Sequence, residues 1–82
     1  MDLRQLRYFV GIVQAGSLSR AADQLHVAQS AISHHLASLE SELSRQLVTR
    51  CSKGILLTEA GGVLYRHAEA ILRHLESASR TP

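Results

Sequence analysis

The chain has one cysteine, Cys51, so it can form no internal disulfide, which suits a reducing compartment. No apolar run approaches the roughly 18 residues a membrane span needs. The N-terminus lacks the charged start and continuous apolar block of a signal peptide. There is no internal repeat and no low-complexity segment. These absences lead us to expect a cytoplasmic chain with no membrane partner. Metal and enzyme chemistry are equally poorly supplied. Five histidines are present, but His34 and His35 are adjacent and point apart on a helix, and His67 and His74 stand two turns apart. Neither these nor His26 and Cys51 have the spacing of a zinc site. No serine or cysteine is set beside a base with a third orienting group, and Gly61-Gly62 lack the strand and flanking pattern of a phosphate loop. No catalytic residue, metal ligand or cofactor is assigned, and an enzyme is not expected.

What remains is enough for one small domain. The 82 residues can bury a modest core, and 45% hydrophobic content is too high for a disordered tail. The formal charge of +2 is compatible with a polyanionic partner without demanding one.

The informative stretch is Ser17 to Leu43, SLSRAADQLHVAQSAISHHLASLESEL. Ser17 is a good N-cap for a short helix from Leu18 to Leu25, and Gly16 ends the helix before it. Leu18, Ala21, Ala22 and Leu25 form an inward stripe whose alanines allow a close crossing. His26-Val27-Ala28 is the turn, with Val27 plugging the gap. A second helix follows from Gln29 to Leu43, with Ile32, Leu36, Leu39 and Leu43 on one side. Its other side presents Ser30, Ser33, His34, Ala37 and Ser38, flanked by Gln29 and His35. A merely solvated helix face would mix Glu and Lys. Here both glutamates, Glu40 and Glu42, lie at the far end, and the face is built of side chains that can bond base edges or phosphates. Two helices meeting at such a turn have the shape of a helix-turn-helix.

Around this stretch, Asp2 to Ala15 reads as a first helix capped by Asp2, with Leu3, Leu6, Phe9, Val10 and Val13 buried and Arg4, Gln5, Arg7 and Gln14 outside. Phe9, the only phenylalanine, is a core anchor. After Ser44-Arg45-Gln46, the segment Leu47 to Arg50 alternates like a strand, Cys51 to Gly54 is a turn, and Ile55 to Leu57 returns. Packed beside three helices, this hairpin becomes a wing. Lys53 at its tip is placed to enter the minor groove or meet a phosphate. Arg50 either meets a phosphate or pairs with Glu40 or Glu42. From Thr58 to about Ala78 runs one long helix capped by Thr58, in which Gly61 and Gly62 allow close approach to another backbone. Leu64, Ala68, Ile71, Leu75 and Ala78 recur with a 3.5-residue period, widened by Leu72 and Val63. So small a domain cannot cover that face, so its outer half reads as a dimer interface. Ser77 to Pro82 is expected to be a polar tail.

The stretch SLSRAADQLHVAQSAISHHLASLE resembles the helix-turn-helix of LysR-type transcriptional regulators, with Ala21, Ala22, Leu25, Val27, Gln29, Ser30, Ala31, Ile32, Ser33, Leu36, Leu39 and Glu40 matching the pattern. LRQLRYFVGIVQAGS resembles the family's opening and LVTRCSKGILLTEAG its wing. Ala28 departs, standing where the family places a capping Ser or Thr, a loss on the order of 1 kcal/mol. Val48 replaces an aromatic residue, Lys53 replaces the commoner arginine, and His34 a longer basic residue. The resemblance implies that the last helix is a linker pairing antiparallel with that of a second subunit. It also implies an effector-binding domain beyond the linker, so the chain reads either as an excised DNA-binding domain, the favoured reading, or as a naturally short protein, and a tetramer is expected only as a possibility of the full-length regulator.

The resulting expectation is a mostly α fold: a winged helix-turn-helix of three helices and a short two-stranded β-wing over residues 1–57, then a dimerising linker helix and tail over 58–82. Its expected function is sequence-specific binding of double-stranded DNA by a homodimer within a LysR-type regulator, the recognition helix in the major groove and the wing near the minor groove. Gln29, Ser30, Ser33 and His34 are expected to read bases. Ser17, Arg20, His35, Arg50 and Lys53 are expected to hold phosphates or serve the wing, and Leu64, Ala68, Ile71, Leu72, Leu75 and Ala78 to form the dimer interface. The alternative is a winged-helix docking module that binds no DNA, which would expose apolar or aromatic anchors on the same face.

Overall fold

The computed structural model describes residues 1–80. Helix α1 spans Leu3–Ala15, α2 Leu18–Leu25 and α3 Gln29–Leu43; strands β1 Val48–Cys51 and β2 Gly54–Leu57 follow, and α4 Glu59–Arg80 closes the chain. Local chemistry sets these limits. The Asp2 carboxylate accepts from the Gln5 amide at 2.8 Å, and the Ser17 hydroxyl accepts from the Arg20 amide at 3.1 Å, each satisfying a donor the first helical turn leaves open. Gly16 ends α1 in the left-handed region at φ 82°. His26 and Ser44 end α2 and α3 in the same conformation, at φ 58° and 53°. His26 is of a residue type that tolerates it comparatively well. The α4 helix runs past the expected tail boundary through Arg80, while Thr81 and Pro82 lie outside the described residues.

The first three helices enclose a core of Phe9, Ile12, Ala21, Ala22, Ile32, Leu36 and Leu39, closed by Leu47 and Val48. Ala21 and Ala22 of α2 are buried in this core, and Val27 packs half-buried against it. On the other side of α1, Leu6 and Val10 meet Ala68 of α4, with Leu64, Tyr65 and Leu72 packed around them. Being covered from two sides widens the buried arc of α1 beyond the expected stripe. Ile12 is 0% exposed, Val13 only half-buried, and Leu3, at 44% exposed, edges a groove beside Leu72 and Leu75 of α4. Gln5, expected outside, is half-buried and donates to the Ser38 hydroxyl at 3.3 Å, linking α1 to α3.

The two strands pair antiparallel, with Val48 opposite Leu57 and Cys51 opposite Gly54. Their attachment to the helices runs through Leu47, whose side chain is 1% exposed. Its amide donates to the Glu40 carboxylate at 2.7 Å, and its carbonyl accepts from the Thr58 amide at 3.0 Å. Thr58 in turn caps α4, its hydroxyl accepting from the Gly61 amide at 3.0 Å and donating to the Gln46 carbonyl. Of the two glycines that follow, only one is needed for close approach. A Cβ on Gly61 would fall 1.9 Å from the Leu47 carbonyl oxygen, whereas one on Gly62 would meet nothing within 4 Å.

A paired substitution follows from that geometry. Gly61→Ala should destabilise the domain, because the Leu47 carbonyl cannot retreat without giving up its Thr58 bond. Gly62→Ala should be neutral or stabilising by up to about 1 kcal/mol, the helix-propensity gain. Urea unfolding followed by circular dichroism separates the two, and equal effects would contradict the packing described.

Candidate nucleic-acid interface

The outward face of α3 is a short polar patch. Gln29, Ser30, His34 and Ala37 are exposed, and Ser33 is half-buried between them. Ala28 offers no side-chain cap, so the amides that open α3 sit at the positive end of the helix dipole without a side-chain acceptor. The loss of a cap expected from the sequence is therefore present, and it leaves donors free for an external anion. The four residues expected to read bases, Gln29, Ser30, Ser33 and His34, are brought together on this one face.

The residues expected to hold phosphates are placed less uniformly. Arg20 is exposed in the first turn of α2, beside half-buried Ser17, whose hydroxyl already accepts from the Arg20 amide and keeps its own proton to donate. Lys53 and Arg50 are exposed on the wing. The open question at Arg50 is resolved by its would-be partners. The Glu40 carboxylate accepts from the Leu47 amide at 2.7 Å and the Val48 amide at 3.4 Å, and Glu42 pairs with the Met1 ammonium. Neither braces Arg50, which among the described residues is left to solvent or to an external anion. His35 is half-buried. Its ring stands edge-on to Tyr8 of α1 with centroids 4.7 Å apart, and its buried Nδ1 has no hydrogen-bond partner. Packing between α1 and α3 thus holds one edge of this ring against α1. His34, 6.0 Å away and on the open side, remains available.

The wing is held in place from a direction the sequence did not suggest. The Ile55 amide lies outside the β1–β2 ladder and donates to the Gly16 carbonyl at 3.0 Å. Gly16 is the C-cap of α1 and immediately precedes Ser17, the cap of α2. Gly54 sits against the same carbonyl: at φ 135°, a Cβ here would land 2.1 Å from the Gly16 oxygen. Strand β2 is thus bonded on one edge to β1 and on the other to the α1–α2 junction.

The α4 face divides in two. Ala68, expected at the dimer interface, is 0% exposed and buried against Leu6 and Val10 of its own chain, so it is withdrawn from that set. Leu64 and Leu72 are half-buried against the same cluster. Ile71 at 43%, Leu75 at 39% and the more distal Ala78 stay exposed. Ile71 lines an open apolar groove of about 750 Å³ with Met1, Leu43, Val63 and His67. Among the described residues, no three His, Cys, Asp or Glu side chains gather where they could hold a metal ion, and no helix is long and apolar enough to cross a membrane.

Comparison with known proteins agrees with this architecture. The model for bacterial regulatory helix-turn-helix proteins of the lysR family matches residues 3–62. The nitrogen assimilation regulatory protein nac of Klebsiella aerogenes is 53% identical over 78 residues, covering 95% of this chain and 26% of that protein, and its counterpart in Escherichia coli K12 matches to the same degree. Among solved structures, the CbnR DBD–DNA complex is similar at 36% identity and a TM-score of 0.90, covering 98% of this chain and 92% of that one. The BenM DBD in complex with benA site 1 DNA is similar at 38% identity and a TM-score of 0.92, covering 98% and 93%. The chain spans about a quarter of the length of these two curated relatives. With four helices, a two-stranded antiparallel wing and a family match over most of its residues, the chain belongs to the lysR family of bacterial regulatory helix-turn-helix proteins.

Proposed function

We propose that this chain is the DNA-reading part of a bacterial LysR-type transcriptional regulator, binding double-stranded DNA sequence-specifically in the cytoplasm. The observation that carries this reading is the α3 face. It gathers Gln29, Ser30, Ser33 and His34 beside an uncapped helix start, on a fold shared at TM-scores of 0.90 and 0.92 with domains solved on DNA. An α-helix fits the major groove, where each base pair presents a distinct pattern of donors and acceptors. Gln29 can pair with the N6 and N7 of adenine, and His34 can donate to the N7 or O6 of guanine. Ser17, Arg20, Arg50 and Lys53 then hold backbone phosphates, which fixes register without carrying sequence information. The opposing docking-module reading needs apolar or aromatic anchors on α3, and that face offers Gln, Ser and His.

Residues 1–57 do the reading and residues 58–82 join two copies. The first half of α4 is anchored to α1 through Ala68, which leaves Ile71, Leu75 and Ala78 to meet the α4 of a second subunit. A homodimer places two α3 helices in successive major grooves of a roughly palindromic site. Higher assembly into a tetramer belongs to the part of the regulator beyond this chain.

Two groups of variants test the reading. Gln29→Ala should relax preference for one base position at a cost of roughly 1–3 kcal/mol. Lys53→Ala should weaken binding to all duplexes alike and lower the slope of log affinity against log salt by about one. Fluorescence anisotropy on matched and mismatched duplexes distinguishes them, and a Gln29→Ala loss that is equal on every sequence would count against base reading. Leu75→Glu should convert the dimer to a folded monomer in sedimentation velocity. A persistent dimer would place the seam elsewhere.

A further inference from the structure

We propose that the contact of Gly54 and Ile55 with the Gly16 carbonyl is a positioning device for DNA binding: it sets where the wing cation Lys53 stands relative to the start of α2. This rests on the reading above that Lys53 meets a phosphate. Gly16 joins three elements. Its N–H closes α1 by donating to the Ile12 carbonyl, the next residue is the Ser17 cap of α2, and its carbonyl receives the Ile55 amide at 3.0 Å. Lys53 is the residue before Gly54, with one peptide bond between the wing tip and the point of contact. Two conditions keep that contact closed. Position 54 must adopt φ 135°, a region L side chains rarely enter, and it must carry no Cβ, which would lie 2.1 Å from the Gly16 oxygen. A two-stranded hairpin is marginally stable by itself. Leu47, Val48 and Ile55 pack the base of this one on the core, and the Ile55–Gly16 bond adds an anchor on the free edge of β2, next to the tip. A cation on a pivoting hairpin must be ordered when it meets a phosphate, whereas a fixed one is already in place. Gly54 and Ile55 touch no nucleic acid in this account and act through Lys53, so they are positioning residues.

The test is a double-mutant cycle read through salt dependence. Gly54→Ala opens the contact by steric conflict. Ile55→Pro opens it by deleting the donor, and the deleted N–H takes no part in the β1–β2 ladder. Each is combined with Lys53→Ala, with Gly62→Ala as a glycine substitution distant from the contact. The readout is the slope of log affinity against log salt for one selected duplex, with circular dichroism as the check on folding. The expected result has four parts. Lys53→Ala lowers the wild-type slope by about one; Gly54→Ala or Ile55→Pro lowers it by a similar amount; Lys53→Ala then adds nothing in either background; and the Gly62→Ala protein behaves as wild type. A full Lys53→Ala effect in folded Gly54→Ala and Ile55→Pro backgrounds would overturn the positioning role while leaving the phosphate reading intact. No Lys53→Ala effect in the wild-type background would overturn the phosphate reading, and the positioning role with it. Failure of both opened variants to fold would also overturn the proposal, because the contact would then be a requirement of the fold and not a means of placing Lys53.

Discussion

Both backbone polar groups of Leu47 are committed, and the layout of the domain depends on them. The amide is held by the Glu40 carboxylate near the end of α3, and the carbonyl by the Thr58 amide at the start of α4. The side chain between them is sealed in the core. One residue therefore sets where the wing leaves α3 and where α4 begins. The arrangement is costly to disturb, because a buried amide that loses its acceptor costs roughly 1–3 kcal/mol. It also explains the glycine at position 61, where α4 passes so close to the Leu47 carbonyl that no side chain fits.

From this joint the wing leaves α3, returns along β2 and is bonded back to Gly16, the residue before the Ser17 cap of α2. The wing and the start of α2 thus meet at one residue. In the proposed DNA complex, small residues on α3 would allow close approach to a groove floor, and the exposed cations Arg20, Arg50 and Lys53 would supply attraction that does not depend on sequence. The α4 helix divides its labour along its length. Its first turns and Ala68 belong to the core, while Ile71, Leu75 and Ala78 lie beyond it.

Much of this could be read from the residues alone. The limits of α2 and α3 follow from Ser17 and from an apolar period that begins and ends where the helices do. The strands fall within a residue of the alternating segments around Cys51 to Gly54. Where the reading failed, the cause was a neighbour that sequence pattern does not reveal. A helix buried on one side shows one stripe, but α1 is covered by α2 and α3 on one flank and by α4 on the other, which brought Ile12 in and left Leu3 out. Heptad spacing marked Ala68 as part of a seam without saying that Leu6 and Val10 would fill it. Glu40 was weighed as a partner for Arg50, whereas it serves backbone amides, which leave no trace in side-chain identity. The contact between Gly54 and Gly16 joins positions 38 residues apart and is visible only in three dimensions.

The central claim is that this domain reads double-stranded DNA by sequence as a symmetric pair. It is tested most directly by incubating the 82-residue chain with a random pool of duplexes at two salt concentrations, then recovering and sequencing what binds. The account predicts an enriched motif with two related half-sites and affinity that falls steeply with salt. A chain shown to be folded and dimeric that enriches no motif and binds no duplex would contradict it.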